Sequence, residues 1–348
     1  MKNFCKKLLL WSGVLCLTGF LLCLIALGAL DFDFNRLDTA GSNADTWTTT
    51  DPPDFDNIYV DAGACDVTVR PSPDHDLRVV YDTPEHIEVT VALNGNQLTV
   101  TALDISDRQP WYKRIRLQIR QHTGITIYVP IRTYTTLTAC TASGDVSVLG
   151  HLTVENASIT TASGDVAFRI DTKNTLNITT TSGDVALSLF SGRNMTVMTT
   201  SGDIDMEYIK LLSTAALSTT SGDISADDVT CTHNMMMDTT SGDLSITGLS
   251  VPRLTATTVS GGLTLNKNEV QYLTATSTSG DVELNDVLIE ISAELRTVSG
   301  NVCGTLRYLH QICARTISGK TDIQRHTQVA QRLCDIQVST TSGDITLK

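Results

Sequence analysis

Three features of the sequence predict an all-β protein: a parallel β-solenoid (β-helix) of 19–20-residue coils, with a β-rich N-terminal cap and one N-terminal transmembrane helix. First, a Ser-Gly pair recurs at Gly144, Gly164, Gly183, Gly202, Gly222, Gly242, Gly261, Gly280, Gly300, Gly319 and Gly343, so successive glycines stand 19 or 20 residues apart until a last step of 24. A fixed period of this length marks a solenoid, in which each repeat is one coil stacked on its neighbour. Second, apolar residues alternate with others on both sides of each pair. Seven and five positions before the glycine stand Leu176 and Ile178, Met235 and Met237, Ile336 and Val338; two and four after it stand Val185 and Leu187, Leu244 and Ile246, Leu263 and Leu265. Period two on both sides reads as strand, turn, strand. Third, Leu8 to Leu30 is an uncharged apolar run of 23 residues, the length of a membrane span.

Taken in order, residues 1–7 carry Lys2, Lys6 and Lys7 and form a cytoplasmic N-terminus by the positive-inside bias; residues 8–30 are the transmembrane anchor, which leaves the rest outside. A cleaved signal peptide is the competing reading, because Ala26-Leu27-Gly28 offers a small-residue cleavage site. Against it, the apolar core of a cleaved signal is usually only about 7 to 15 residues. Residues 31–55 are rich in Thr, Asp and Pro and end in Asp51-Pro52-Pro53-Asp54, which reads as an extended, poorly ordered extracytoplasmic linker. Residues 56–136 form the β-rich N-terminal cap region. Within it Ile58 to Arg70, Leu77 to Tyr81, His86 to Leu93, Gln97 to Ala102, Ile115 to Gln121 and Gly124 to Val129 alternate as strands, with Asn94-Gly95-Asn96 as a hairpin turn. Ile58 to Gly63 looks like a degenerate first copy of the repeat, suited to covering the end coil.

Residues 137–348 are the β-solenoid repeat domain. Coils about 4.8 Å apart would make its eleven copies a rod of roughly 50 Å. Three positions before the glycine stands Thr in ten copies and Ser277 in the other, an inner row whose hydroxyls can bond backbone while the methyls pack inward. The eleven glycines are read as structural turn residues that give the corner its backbone freedom.

On these residues the chain resembles a known family. Asp56 to Lys348, with a strand ending Ile127-Tyr128-Val129-Pro130 and then iterated Thr-x-Ser-Gly-Asp-Val coils, is similar to the bacterial "putative adhesin" family of β-strand-repeat domains of unknown function. The resemblance implies an extracytoplasmic or membrane-anchored bacterial protein, with some members linked to envelope stress, and it brings no catalytic residues with it. Departures from the pattern are Gly262, Asn301 and Lys320 at the Asp position, and a longer last coil around His326 to Asp335.

Composition narrows the function classes. A net charge of -13 and a pI near 4.8 argue against nucleic acid as a partner, since phosphate binding needs clustered Lys and Arg. The seven histidines are scattered and no coil before the last carries a long insertion, so a polysaccharide-active β-helix enzyme finds neither converging acids and bases nor a cleft wall. No cofactor is implied. The carboxylate column Asp145, Asp165, Asp184, Asp203, Asp223 and Asp243 admits a calcium reading. The reading adopted is a structural, metal-free row whose carboxylates accept hydrogen bonds from turn amides. The position four before glycine is too mixed for an ice-binding row. The cysteines beyond the anchor fall in different phases of the repeat, with no Cys-x-x-Cys or Cys/His pair at metal spacing, and are read as small buried hydrophobes; Cys303 with Cys313 is the pair to test first for a disulfide. The resulting expectation is a non-catalytic binding module at the cell envelope, adhesin-like or scaffolding, whose partner is a surface glycan or an envelope protein. An envelope-stress regulatory partner is the alternative. Because the chain ends inside a repeat at Ser342 to Lys348, an exposed final edge would favour self-association through the C-terminal coil.

Overall fold

The computed structural model describes residues 42–50, 52, 54–84, 86–106, 123–307, 311–323 and 335–348. The cytoplasmic N-terminus, the anchor 8–30, the strand expected over Ile115 to Gln121 and Cys334 lie outside the described residues. Among the described residues no helix is long and apolar enough to cross a membrane.

The strands pair into one continuous sheet that winds as a parallel β-solenoid. Coils are named here by their glycine. The Gly183 to Gly202 stretch shows why each coil has three sides: Val185 and Leu187 point inward, then Phe190, then Met195, Val197 and Thr199. Alternation holds within each side and slips phase between them, and each slip is a corner where the chain turns. One of these corners was not legible beforehand. Six residues after the glycine stand Leu189, Tyr208, Asp228, Gly248, Lys267 and Asp286, all left-handed with φ between 52° and 66°, a conformation that costs an ordinary side chain about 1–2 kcal/mol. Only Gly248 and Gly150 mark this phase with glycine, so the sequence carries little sign of it.

The interior is one cluster running the length of the stack, filled mostly by Val, Ile and Leu. Where a coil widens, Phe168 and Phe190 meet edge to face at 5.7 Å. Gly192 makes room for them, since a Cβ there would stand 2.6 Å from the Phe190 ring.

At the N-terminal end, Asn57–Asp61 and Asp66–Pro71 pair in parallel with Thr133–Cys140 and Val146–Thr160. They are a true first coil, as the Ile58 to Gly63 resemblance implied, and the parallel stack begins there rather than at residue 137. Gln97–Asp104 and Gly124–Val129 add a further parallel layer on its outer side. Antiparallel strands then finish the end: Ile87–Asn94 folds back as a hairpin on Gln97–Asp104, and Leu77–Pro84 runs antiparallel to Gly124–Val129. Ser42–Thr49 pairs antiparallel with Leu77–Pro84. This corrects the reading of residues 31–55 as a poorly ordered linker: backbone hydrogen bonding to the cap holds 42–49 as a strand.

The C-terminal end departs from sequence order. Asp335–Thr340 pairs with Val282–Arg296 on one face and with Gln311–Thr316 on the other. Ile345–Leu347 likewise lies between Val302–Leu306 and Thr321–Ile323. The Gly343 coil is therefore inserted between the Gly300 and Gly319 coils. The expectation of an exposed edge at Ser342 to Lys348 is corrected; among the described strands, the outer edge is the Gly319 coil. Packing explains the order. The inward residues of the last copy, Ile336, Val338, Ile345 and Leu347, are all fully buried. The Gly319 copy offers Ala314 and an exposed Thr321 at two of the same positions, and the weaker apolar face takes the outer place.

Candidate functional site

The Ser-Gly-Asp corner lines up three columns along the stack. In the innermost, from the Gly183 coil onward, the hydroxyl three residues before the glycine bonds in two directions. Thr219 Oγ1 accepts from the Gly222 N–H of its own coil at 3.1 Å and donates to the Gly202 carbonyl of the neighbouring coil at 3.1 Å. Thr239 and Thr258 repeat the pattern. Ser277 does so at 2.9 Å in both directions, so the hydroxyl is what the position requires. At the C-terminal end these bonds follow space, not sequence: Thr340 donates to Gly300 and Thr316 to Gly343.

The glycines form the second column, and here the reason differs from the expected one. None of the eleven has a positive φ. What the corner excludes is a Cβ, which at Gly222 would lie 1.9 Å from the Gly202 carbonyl oxygen and at Gly242 1.8 Å from that of Gly222. The coils touch backbone to backbone.

The third column is the Asp row. Asp145, Asp165, Asp184, Asp203, Asp223 and Asp243 each turn Oδ1 onto the backbone N–H at the equivalent position of the next coil, at 2.7–2.9 Å. Asp66 starts the row by accepting from Asp145. It was missed because no Ser-Gly precedes it, although Asp66-Val67-Thr68-Val69 matches the Asp-Val-x-Val of later copies. The departures now make sense. Asn301 replaces the carboxylate with an amide oxygen that accepts from Asp344 at 2.9 Å. The Lys320 N–H donates to Asp344 Oδ1, and Lys320 sits in the outermost described coil, where no further described strand needs an acceptor. The Gly262 N–H donates to Asp243 Oδ1, and Gly262 has no side chain to accept from the coil after it. Among the described residues, no group of three or more His, Cys, Asp or Glu side chains converges as a metal site. The row nevertheless makes its side of the solenoid acidic: burial first, then the carboxylates of Asp203, Asp184 and Asp223, push the Asp205 carboxyl above the usual range.

A different side carries no charge over five coils. Outward positions eight, six and four before glycine read Thr136, Thr138, Cys140; Asn156, Ser158, Thr160; Thr175, Asn177, Thr179; Asn194, Thr196, Met198; Thr214, Ala216, Ser218, stacked in register. Along one edge Thr and Asn pair between coils: Thr136 donates to Asn57, Thr175 to Asn156 and Thr214 to Asn194, at 2.7, 2.9 and 3.2 Å. The result is a flat sheet face of hydroxyl and amide groups on a chain of net charge -13. It was missed because its members stand apart in the sequence and gather only once the coils are in register.

Two further features lie away from these columns. A shallow cleft at the N-terminal end is lined by Pro52, Asp54, Asp74, His75, Asp76, Pro130 and Arg132. Its Arg132 lies over the rings of Phe55 and Tyr134 at 4.7 and 4.9 Å, donates to the Phe55 carbonyl and pairs with Asp54. Tyr134 donates to the Pro130 carbonyl, and burial pushes its phenol up to about 12. These groups tie the segment before the first coil onto the stack, and the cleft holds a single histidine. Cys303 and Cys313 do not form a disulfide. Cys303 is in register with Thr346 and Cys313 with Gln337, on different sides of the coil, so the pair singled out for a test is not bonded.

Comparison with known proteins gives the following. The family model described as Toastrack DUF4097 matches residues 55–227 and 171–348. No curated protein matches the sequence. Among solved structures, one described as a "putative lipid binding protein" from Parabacteroides distasonis is 13% identical, with 88% of this chain and 98% of that one covered, at a TM-score of 0.37. A "putative adhesin" from the same organism is 14% identical over 89% and 98%, at a TM-score of 0.33. Another "putative adhesin", from Bacteroides fragilis, is 14% identical over 87% and 97%, at a TM-score of 0.27.

Proposed function

Since the chain belongs to the Toastrack DUF4097 family, we propose that it is a non-catalytic binding module held in the membrane by Leu8 to Leu30, with its solenoid outside the cell and its uncharged side turned to a neutral surface glycan. The observation that carries this reading is the charge-free Thr, Asn and Ser face between the Gly144 and Gly222 coils. Anionic polymers are repelled by the chain as a whole, and a cationic partner would settle on the Asp row instead. A neutral polyhydroxylated chain finds donors and acceptors repeating at about 4.8 Å on the remaining side.

Binding of the full chain to isolated neutral cell-wall polysaccharide tests this. Asn177→Glu with Met198→Glu, both exposed on that face, should weaken binding at least about tenfold while leaving the melting temperature unchanged. Undiminished binding by the double variant would rule out this face. Recovery of one membrane protein in place of glycan would favour the regulatory alternative.

A further inference from the structure

The third side of the solenoid, between the left-handed corner and the uncharged face, carries side chains that folding does not explain. Leu189 and Tyr208 occupy that corner with φ of 53° and 54°, where the coils that follow place Asp228, Gly248, Lys267 and Asp286. A bulky apolar side chain resists this conformation, which Gly, Asn and Asp accept. Burial does not offset the strain, because Leu189 is 69% exposed and Tyr208 51%. Strain held at the surface without packing in return points to a partner. Around this pair the side is basic. Tyr208, Lys210 and Leu212 face outward along one strand, and Leu212 is 65% exposed. Ser191 of the coil before lies directly opposite Lys210, which sets Leu189 beside Tyr208 and Arg193 beside Leu212. Lys173 continues the row one coil further. There Asp171 Oδ1 accepts from the Ser191 N–H and Oγ at 2.9 Å, and Thr172 lies against Gly192. Lys173, Arg193 and Lys210 are exposed, and among the described residues none of them forms an ion pair.

We propose that this patch docks the solenoid sideways on an anionic lipid bilayer, with Leu189, Tyr208 and Leu212 entering the headgroup boundary and Lys173, Arg193 and Lys210 meeting lipid phosphates. Aliphatic and tyrosyl side chains ringed by Lys and Arg suit that boundary: the apolar tips leave water while the basic heads reach the phosphates. The proposal rests on the reading of an anchored chain with its solenoid outside, which keeps the patch close to a bilayer. Attraction of Lys and Arg to such a surface acts within a Debye length, about 8 Å at physiological salt, so the Asp row on another side of the rod does not cancel it. Glu207, next to Tyr208 in the chain, and Asp228, at the same corner of the next coil, bound the patch. A second copy fits it less well. Patch against patch sets cation against cation, and the Asp-row side lacks an apolar counterpart: among the described residues no large hydrophobic is exposed at the outward positions one, three and five after glycine.

The test is lysine acylation by a membrane-impermeant reagent, mapped by mass spectrometry on the full chain reconstituted into vesicles of phosphatidylcholine alone or mixed with phosphatidylglycerol. Lys320 and Lys348, exposed on the Asp-row side, are the references within the same chain. Docking predicts that labelling of Lys173 and Lys210 relative to them falls at least about fivefold with phosphatidylglycerol and recovers in phosphatidylcholine alone. Leu189→Asn with Tyr208→Asn should restore labelling in the anionic vesicles with a melting temperature equal to or above the parent's, since Asn accepts the left-handed corner. Unchanged labelling in anionic vesicles, or protection that survives the double variant, would overturn the proposal. Equal protection in both lipids or in detergent would assign the patch to a protein contact and overturn it as well. Flotation of the vesicles reads the anchor separately: protein that floats in both lipids without protection removes docking alone, and protein that floats only with phosphatidylglycerol, protected, removes the anchor and keeps docking. Failure to float in either lipid removes both.

Discussion

Gly222→Ala is expected to lower stability by about 3–5 kcal/mol, read as a fall in the urea midpoint of the solenoid transition. The added methyl would begin 1.9 Å from the Gly202 carbonyl oxygen, less than the separation of any non-bonded pair, and that neighbour is backbone, which cannot turn aside as a side chain can. Relief requires the two coils to part by more than 1 Å at the corner. Parting them there also strains the bond from Thr219 to Gly202 and the bond from the Asp223 N–H to Asp203. The matched control is Gly262→Ala. A Cβ at Gly262 has its nearest neighbours at 3.7 and 3.8 Å, ordinary contact, so this change should be within about 1 kcal/mol of neutral. Equal losses at both sites would mean that glycine serves the corner through conformational freedom after all.

The second large effect belongs to the hydroxyl column. Thr219→Val keeps shape and the inward methyl but removes both hydrogen bonds, leaving the Gly222 N–H and the Gly202 carbonyl buried without partners. At about 1–3 kcal/mol for each unsatisfied group, the loss should reach about 2–4 kcal/mol. Thr219→Ser should recover most of it, as Ser277 already fills this place in the Gly280 coil. A thermal melt of the three proteins decides the matter, and a valine variant as stable as the parent would show that packing alone holds the column.

Much of the fold could be read from the chain because each coil repeats the same local instruction. The inward pairs such as Met235 and Met237, the threonine before each turn and the glycine at it stand at fixed offsets, and the coil they build places them at fixed corners. The order of coils at the end could not be read this way. Ile312-x-Ala314 and Ile336-x-Val338 carry the same pattern, so either could stack on Ala293 and Leu295; the choice rests on burial and on what the residue after glycine can accept, which is a property of the neighbour. The left-handed corner at Leu189 and Tyr208 escaped for a related reason: the stack over-determines a conformation their side chains do not ask for. For the candidate binding side, the offsets of Asn156, Thr175 and Asn194 were visible, but their assembly into one uncharged surface depended on knowing which coil edge faces outward.

Whether the Asp row is a column of hydrogen-bond acceptors or a set of metal ligands is decided most directly by the melting temperature of a variant with Asp184→Asn, Asp203→Asn and Asp223→Asn, taken with chelator and with calcium. An amide oxygen can accept the next coil's N–H, as Asn301 does from Asp344, and it removes like charges that at about 4.8 Å repel by about 1 kcal/mol at the dielectric of water. An acceptor column therefore predicts a melting temperature equal to or above that of the parent, with neither protein responding to calcium or chelator, while the corresponding leucine variant melts lower. A triple Asn variant that loses as much stability as the leucine one, beside a parent that calcium stabilises and chelator weakens, would contradict it.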